Sequence, residues 1–79
     1  MTKHFNPTTF CEYDEMELRN EEGVLLSICI IDIGTETSHR YQVSAGARIL
    51  LRTDVLNHAC DAANNNVDGF FRAGFEVVK

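Results

Sequence analysis

The segment Val24 to Ile33, VLLSICIIDI, carries hydrophobic residues at both of its alternating sets of positions. Extended, it points Val24, Leu26, Ile28 and Ile30 to one side and Leu25, Cys29, Ile31 and Ile33 to the other, because successive side chains of a strand face opposite ways. Its β-branched residues pack well on a pleated surface. A strand that is apolar on both faces belongs in the middle of a sheet, with cover on each side. Whatever layer covers one face, something must also cover the second.

The flanking segments supply the rest of the sheet. From Phe10 to Arg19 two readings compete: Thr9 with Glu12 matches a capping box, and early acids suit a helix dipole, yet Met16 and Leu18 alternate with charges as a strand would. The strand is preferred, because Asn20-Glu21-Glu22-Gly23 has the length and closing glycine of a hairpin loop that leads into the central run. Gly34 to Ser38 turns the chain, Arg40 to Val43 supplies a third strand, and Ser44 offers a helix N-cap. Between Ala45 and Asn66 the spacing is helical, with Ile49, Leu56, Cys60 and Ala63 on one stripe and Leu51, Val55, Ala59 and Ala62 beside it. One helix is the simplest account; alternatively Thr53-Asp54 caps a shorter helix and leaves Ile49 to Leu51 extended. Asn64 to Asn66 and the pair Asp68-Gly69 end the helix, and Phe71, Ala73, Phe75 and Val77 alternate as a last strand.

The expected fold is therefore α+β: a small two-layer sandwich in the order β-β-β-α-β, a mostly antiparallel sheet with one helix packed on one face. Residues 1–9, which hold the only proline, Pro7, read as an irregular arm, and residues 10–79 as a single domain.

Composition narrows the functions. With 44% hydrophobic and 24% charged residues the chain lies near the globular average, away from the disordered class. A net charge of -5 repels phosphate backbones, so direct nucleic-acid binding is not expected and basic partners are favoured. Three cysteines, Cys11, Cys29 and Cys60, are an odd number at wide spacings, and Met1-Thr2-Lys3-His4 leads into no apolar signal core, which fits a reducing cytoplasm. The central run, interrupted by Ser27 and Asp32, is far shorter than the roughly 20 residues a membrane-spanning helix needs, so no membrane segment is expected.

Motifs for chemistry are weak. Asn64 to Phe71 imitates the opening of an EF-hand calcium loop, but its first ligand is neutral, the twelfth place falls on Phe75 and Glu76 comes one residue late. The cysteines and histidines form no Cys-x-x-Cys pair, and His58 and Cys60 face different ways on a helix, so core packing is the better reading. Fragments such as His39 and Arg40 near Ser38, or Cys60 near His58, complete no catalytic set. The expectation is no enzyme activity, no cofactor and no metal.

Charge is the remaining feature. Glu12, Asp14, Glu15, Glu17, Glu21 and Glu22 place six carboxylates in eleven residues, opposed locally by Arg19. Such runs are usually solvated faces. Extended, residues 12 to 17 span about 20 Å at roughly 3.3 Å per residue, and their four charges approach the linear density of one DNA strand. Such an edge suits a basic nucleic-acid groove on another protein. The second face of the central strand, with Leu25, Cys29, Ile31 and Ile33, is left for the arm with its Phe5 and Phe10, a second copy in a homodimer, or a foreign partner.

The leading expectation is a non-enzymatic, acidic protein-protein interaction module that binds a partner with a basic surface and forms a homodimer. In size and charge, though in no motif, it resembles inhibitors carried by phages and mobile elements, anti-CRISPR proteins among them, which implies an acidic surface that blocks a nucleic-acid groove. The alternatives are a small assembly or regulatory subunit of a larger complex, for which the acids have no special role, and a weak metal- or ligand-binding module at the turn expected from Asn64 to Gly69.

Overall fold

Asn20 closes the first hairpin. Its Oδ1 accepts hydrogen bonds from the backbone N–H groups of Glu22 (3.0 Å) and Val24 (2.9 Å), and Gly23 takes a φ of 84° that only glycine adopts freely. The hairpin joins β1 (Tyr13–Arg19) to β2 (Leu25–Asp32) in an antiparallel register that sets Met16 opposite Ile28 and Leu18 opposite Leu26. The structure, a computed structural model, describes residues 4–34 and 39–78. Residues 35–38, most of the turn expected from Gly34 to Ser38, lie outside the described residues, as do residues 1–3 of the arm.

The described residues form a five-stranded sheet in the order β4-β3-β2-β1-β5, antiparallel throughout, with one helix packed on it. The α+β class and the central place of β2 agree with the sequence. The element order is β-β-β-β-α-β, one strand more than expected. After β3 (Tyr41–Ala45) the chain reverses at Gly46, whose φ is 61°, and returns as β4 (Arg48–Thr53), paired to β3 with a bulge between Val43 and Ser44. The stretch from Ala45 to Asn66 is thus not one helix. Ile49 to Leu51 are extended, because the reversal at Gly46 lets them satisfy the outer backbone groups of β3.

Ser44 caps nothing: it lies inside β3, 9% exposed, with its hydroxyl 3.0 Å from the Cys29 thiol. Helix α1 (Leu56–Arg72) starts just past Thr53-Asp54, where the sequence allowed a break, and Thr53 Oγ1 accepts the Val55 N–H at 3.1 Å.

The helix also runs on through Asn64 to Gly69, which overturns the expected turn. The Asn66 and Asn64 side chains find partners without ending the helix. Asn66 donates to Ala62 O (2.9 Å), and Asn64 is 8% exposed and bonded to the arm. Gly74, at φ 98°, follows the helix end in place of Gly69. Phe71 is therefore helical, Ala73 caps the helix, and Phe75 packs edge-on against Phe70 at 5.3 Å. The last strand, β5 (Glu76–Val77), keeps only Val77 of the expected alternation.

The core lies between helix and sheet, where Leu18, Ile28, Ile30 and Val43 meet Ala59, Cys60, Ala63 and Val67. Small residues on α1 bring it close to the sheet. Phe5, 1% exposed, completes this core from the arm. It is held by Asn64, whose Oδ1 accepts from the N–H groups of His4 (2.9 Å) and Phe5 (2.8 Å) and whose Nδ2 donates to Phe5 O (3.0 Å).

Candidate binding surfaces

The strand registers define the sheet face turned away from α1. Across it run Tyr13, Ile31, Gln42 and Arg52 in one row; Glu15, Cys29, Ser44 and Ile49 in the next; then Glu17 with Ser27; and Arg19 with Leu25. Leu25, Cys29 and Ile31 of the second set of β2 positions lie here as expected, while Ile33 falls one residue beyond the end of β2. Leu25 is 59% exposed, Tyr13 51% and Ile49 47%. Arg52 Nε donates to Gln42 Oε1 at 3.0 Å. Partial burial first, then the neighbouring Cys29 and Glu15, raise the pKa of the Tyr13 phenol.

The described residues of the arm do not cover this face. They pack on the helix side: Phe5 in the core, His4 edge-on to Phe71 at 5.2 Å, and Phe10, just after the arm, edge-on to Tyr41 at 5.9 Å. Phe5 and Phe10, the residues the sequence offered as cover, are thus spent on the helix side, which leaves a second copy and a foreign partner to be weighed.

The acidic segment is extended, as preferred, but alternation divides its charges. Glu15 and Glu17 face the open side, Asp14 shares the helix side with Met16 and Leu18 and is half-buried, and Glu12 stands exposed before β1. Carboxylates two residues apart on one face are about 6.6 Å apart, roughly twice the phosphate spacing of one DNA strand. The strand alone therefore does not match DNA in density.

Tertiary pairing adds a carboxylate that the sequence reading missed. β5 sets Glu76 opposite Arg19, and Val78 N–H donates to Glu17 O at 2.8 Å. Glu76 thereby joins Glu17 and the exposed hairpin residues Glu21 and Glu22 at one end of the molecule. An open polar cleft of about 490 Å3 lies there, with Arg19, Asn20, Glu21 and Glu76 in its walls. The signal that could have found Glu76 was its place in a C-terminal strand, but which strand it would join was not written locally.

The other candidates separate. His58 is exposed on α1 while Cys60 is buried, and Cys11 is exposed at the start of the domain. Among the described residues no group of three His, Cys, Asp or Glu side chains is placed to hold a metal. With Asn64 to Gly69 helical, the ligand-binding turn does not exist. His39 Nδ1 stands 3.9 Å from Asp54 Oδ2; Ser38 lies outside the described residues.

Arg40 instead clasps Asp32: Nε and Nη2 lie 3.1 and 3.0 Å from Asp32 Oδ2, while Gly34 N–H donates to Oδ1 at 2.9 Å. The Arg40 hydrogen bonds, then the Gly34 N–H, hold the Asp32 carboxyl below its ordinary pKa. This pair ties the end of β2 to the start of β3. No helix among the described residues is long and apolar enough to cross a membrane.

No protein-family model, curated protein or solved structure matches the chain. The functional reading therefore rests on the two surfaces, one acidic and one apolar.

Proposed function

We propose that the protein is a non-enzymatic interaction module that presents its acidic end to a basic surface of another protein, of the kind that lines a nucleic-acid groove. The observation that carries this reading is the convergence of Glu17, Glu21, Glu22 and Glu76 from β1, the hairpin and β5 at one end, beside Arg19. Like charges gathered by the fold repel one another and are relieved by a basic partner, which they also steer and orient. Occupation of such a groove would make the protein an inhibitor of nucleic-acid binding, acting in the cytoplasm, in the manner implied by its likeness in size and charge to phage-borne and anti-CRISPR inhibitors.

The test is affinity capture from host lysate with the wild type and with the double variant Glu21→Lys, Glu22→Lys, at low and high salt. The expected result is that nucleic-acid-binding proteins are retained by the wild type at low salt, are lost at high salt and from the variant, and release their nucleic acid when the wild type is added. Identical capture by both proteins would sink the reading.

A second reading, a subunit completed by a larger assembly, is favoured by the open sheet face with Tyr13, Leu25 and Ile49. It expects capture to survive the Glu21 and Glu22 reversals and to fail when Leu25 is replaced by lysine.

A further inference from the structure

We infer that the open sheet face is the contact between two copies of this chain, related by a two-fold axis that runs along β2. This goes beyond the partner reading and does not depend on it.

The inference starts from the strand order β4-β3-β2-β1-β5, in which the apolar strand is central and the charges on the open face lie to either side. Glu15, Glu17 and Arg19 stand on β1, Glu76 stands on β5 opposite Arg19, and Arg52 stands on β4. Two sheets packed face to face lie about 10 Å apart with their strands nearly aligned, and a closed dimer presents the same patch from both copies.

Two such two-folds are open to the molecule. An axis running across the strands lays β1 on β1 and β4 on β4 of the second copy, so Glu15, Glu17 and Arg19 meet only the same set and Arg52 meets no carboxylate. An axis along β2 reverses the order of strands instead. It lays Cys29 and Ile31 on the same residues of the second copy, brings the β3–β4 side over the β1–β5 side, and puts Arg52 within a side chain's reach of Glu15 of the second copy.

The second arrangement buries Leu25, Tyr13 and Ile49, which are 59%, 51% and 47% exposed and which the described residues of the arm do not cover. It also forms the ion pair between Arg52 and Glu15 twice, once on each side of the axis. Because the axis preserves direction along the strands, both acidic hairpin tips emerge at the same end. The dimer therefore doubles the carboxylates that Glu17, Glu21, Glu22 and Glu76 present there.

The experiment is sedimentation across a concentration series for the wild type, Glu15→Arg, Arg52→Glu and the double variant. Both side chains are exposed, and circular dichroism checks that each variant keeps its fold. The wild type is expected to show a monomer–dimer equilibrium. Each single reversal should raise the Kd roughly tenfold, since symmetry places each surface pair twice, and the double variant should regain the wild-type Kd.

In a Cys11→Ser background, a short bis-maleimide should join two chains through Cys29, because Cys60 is buried. The mass of a single chain at every concentration overturns the inference, and so does a dimer whose Kd ignores both reversals. The Glu21 and Glu22 reversals used for the partner lie at the hairpin tip, outside this contact, so loss of the partner and loss of the dimer are read separately.

Discussion

Asp32 does two things with one carboxylate. It ends the central strand with a side chain that receives Arg40 on one oxygen and the Gly34 N–H on the other, and so closes the connection between β2 and β3. Because these contacts favour the charged form, the carboxyl titrates lower in the folded chain than in the unfolded one. Its contribution to stability is then complete above the ordinary aspartate range and disappears as pH falls through the lowered folded value. Asp32→Asn is expected to lower the Tm at neutral pH, with the gap from wild type closing in acid. Melting curves at a series of pH values test this; a gap of constant size would show that the ion pair is not its source.

Helix α1 illustrates how an element outlasts its own composition. Asn64, Asn65, Asn66 and Gly69 are poor helix residues, yet the helix continues to Arg72 because Ala59, Ala63 and Val67 bury one face against the sheet. Gly69 sits in this helix, and a Cβ built on it meets no atom within 4 Å. Gly69→Ala should therefore raise stability by about 0.5–1 kcal/mol, the helical penalty of glycine relative to alanine. Chemical denaturation reads the change. Destabilisation by the alanine would mean that the backbone there is not helical.

At the scale of the whole molecule, Asn64 joins parts of the chain 59 and 60 residues apart. Its three hydrogen bonds seat His4 and Phe5 so that Phe5 closes the core from the helix side, and not from the other sheet face. Asn64→Ala leaves buried backbone groups of the arm unsatisfied and should cost about 1–3 kcal/mol. It should also speed proteolytic cleavage near Pro7, whereas Asn65→Ala, at an exposed position of the same helix, should lower neither stability nor protease resistance. If Asn64→Ala melts and resists protease like the wild type, the arm is held by something other than this amide.

The pattern from Val24 to Ile33 determined by itself that a central strand exists and that both its faces need cover, because burial on two sides leaves a local trace at every position. Asn20 to Gly23 likewise determined the hairpin, since turn chemistry is local. The apolar spacing of Ile49 and Leu51 satisfied a helix and a strand equally, and only the reversal at Gly46 and the pairing with β3 decided between them. Asn64 to Gly69 read as a helix end until the contact of Asn64 with the arm absorbed its side chain. The acidic end was half legible: Glu17, Glu21 and Glu22 are neighbours in the chain, but Glu76 joins them only through the pairing of β5 with β1. Backbone preference and side-chain periodicity act over a few residues and can be read in order. Pairing between remote strands depends on the free energy of the whole packed arrangement, and only the folded chain expresses it.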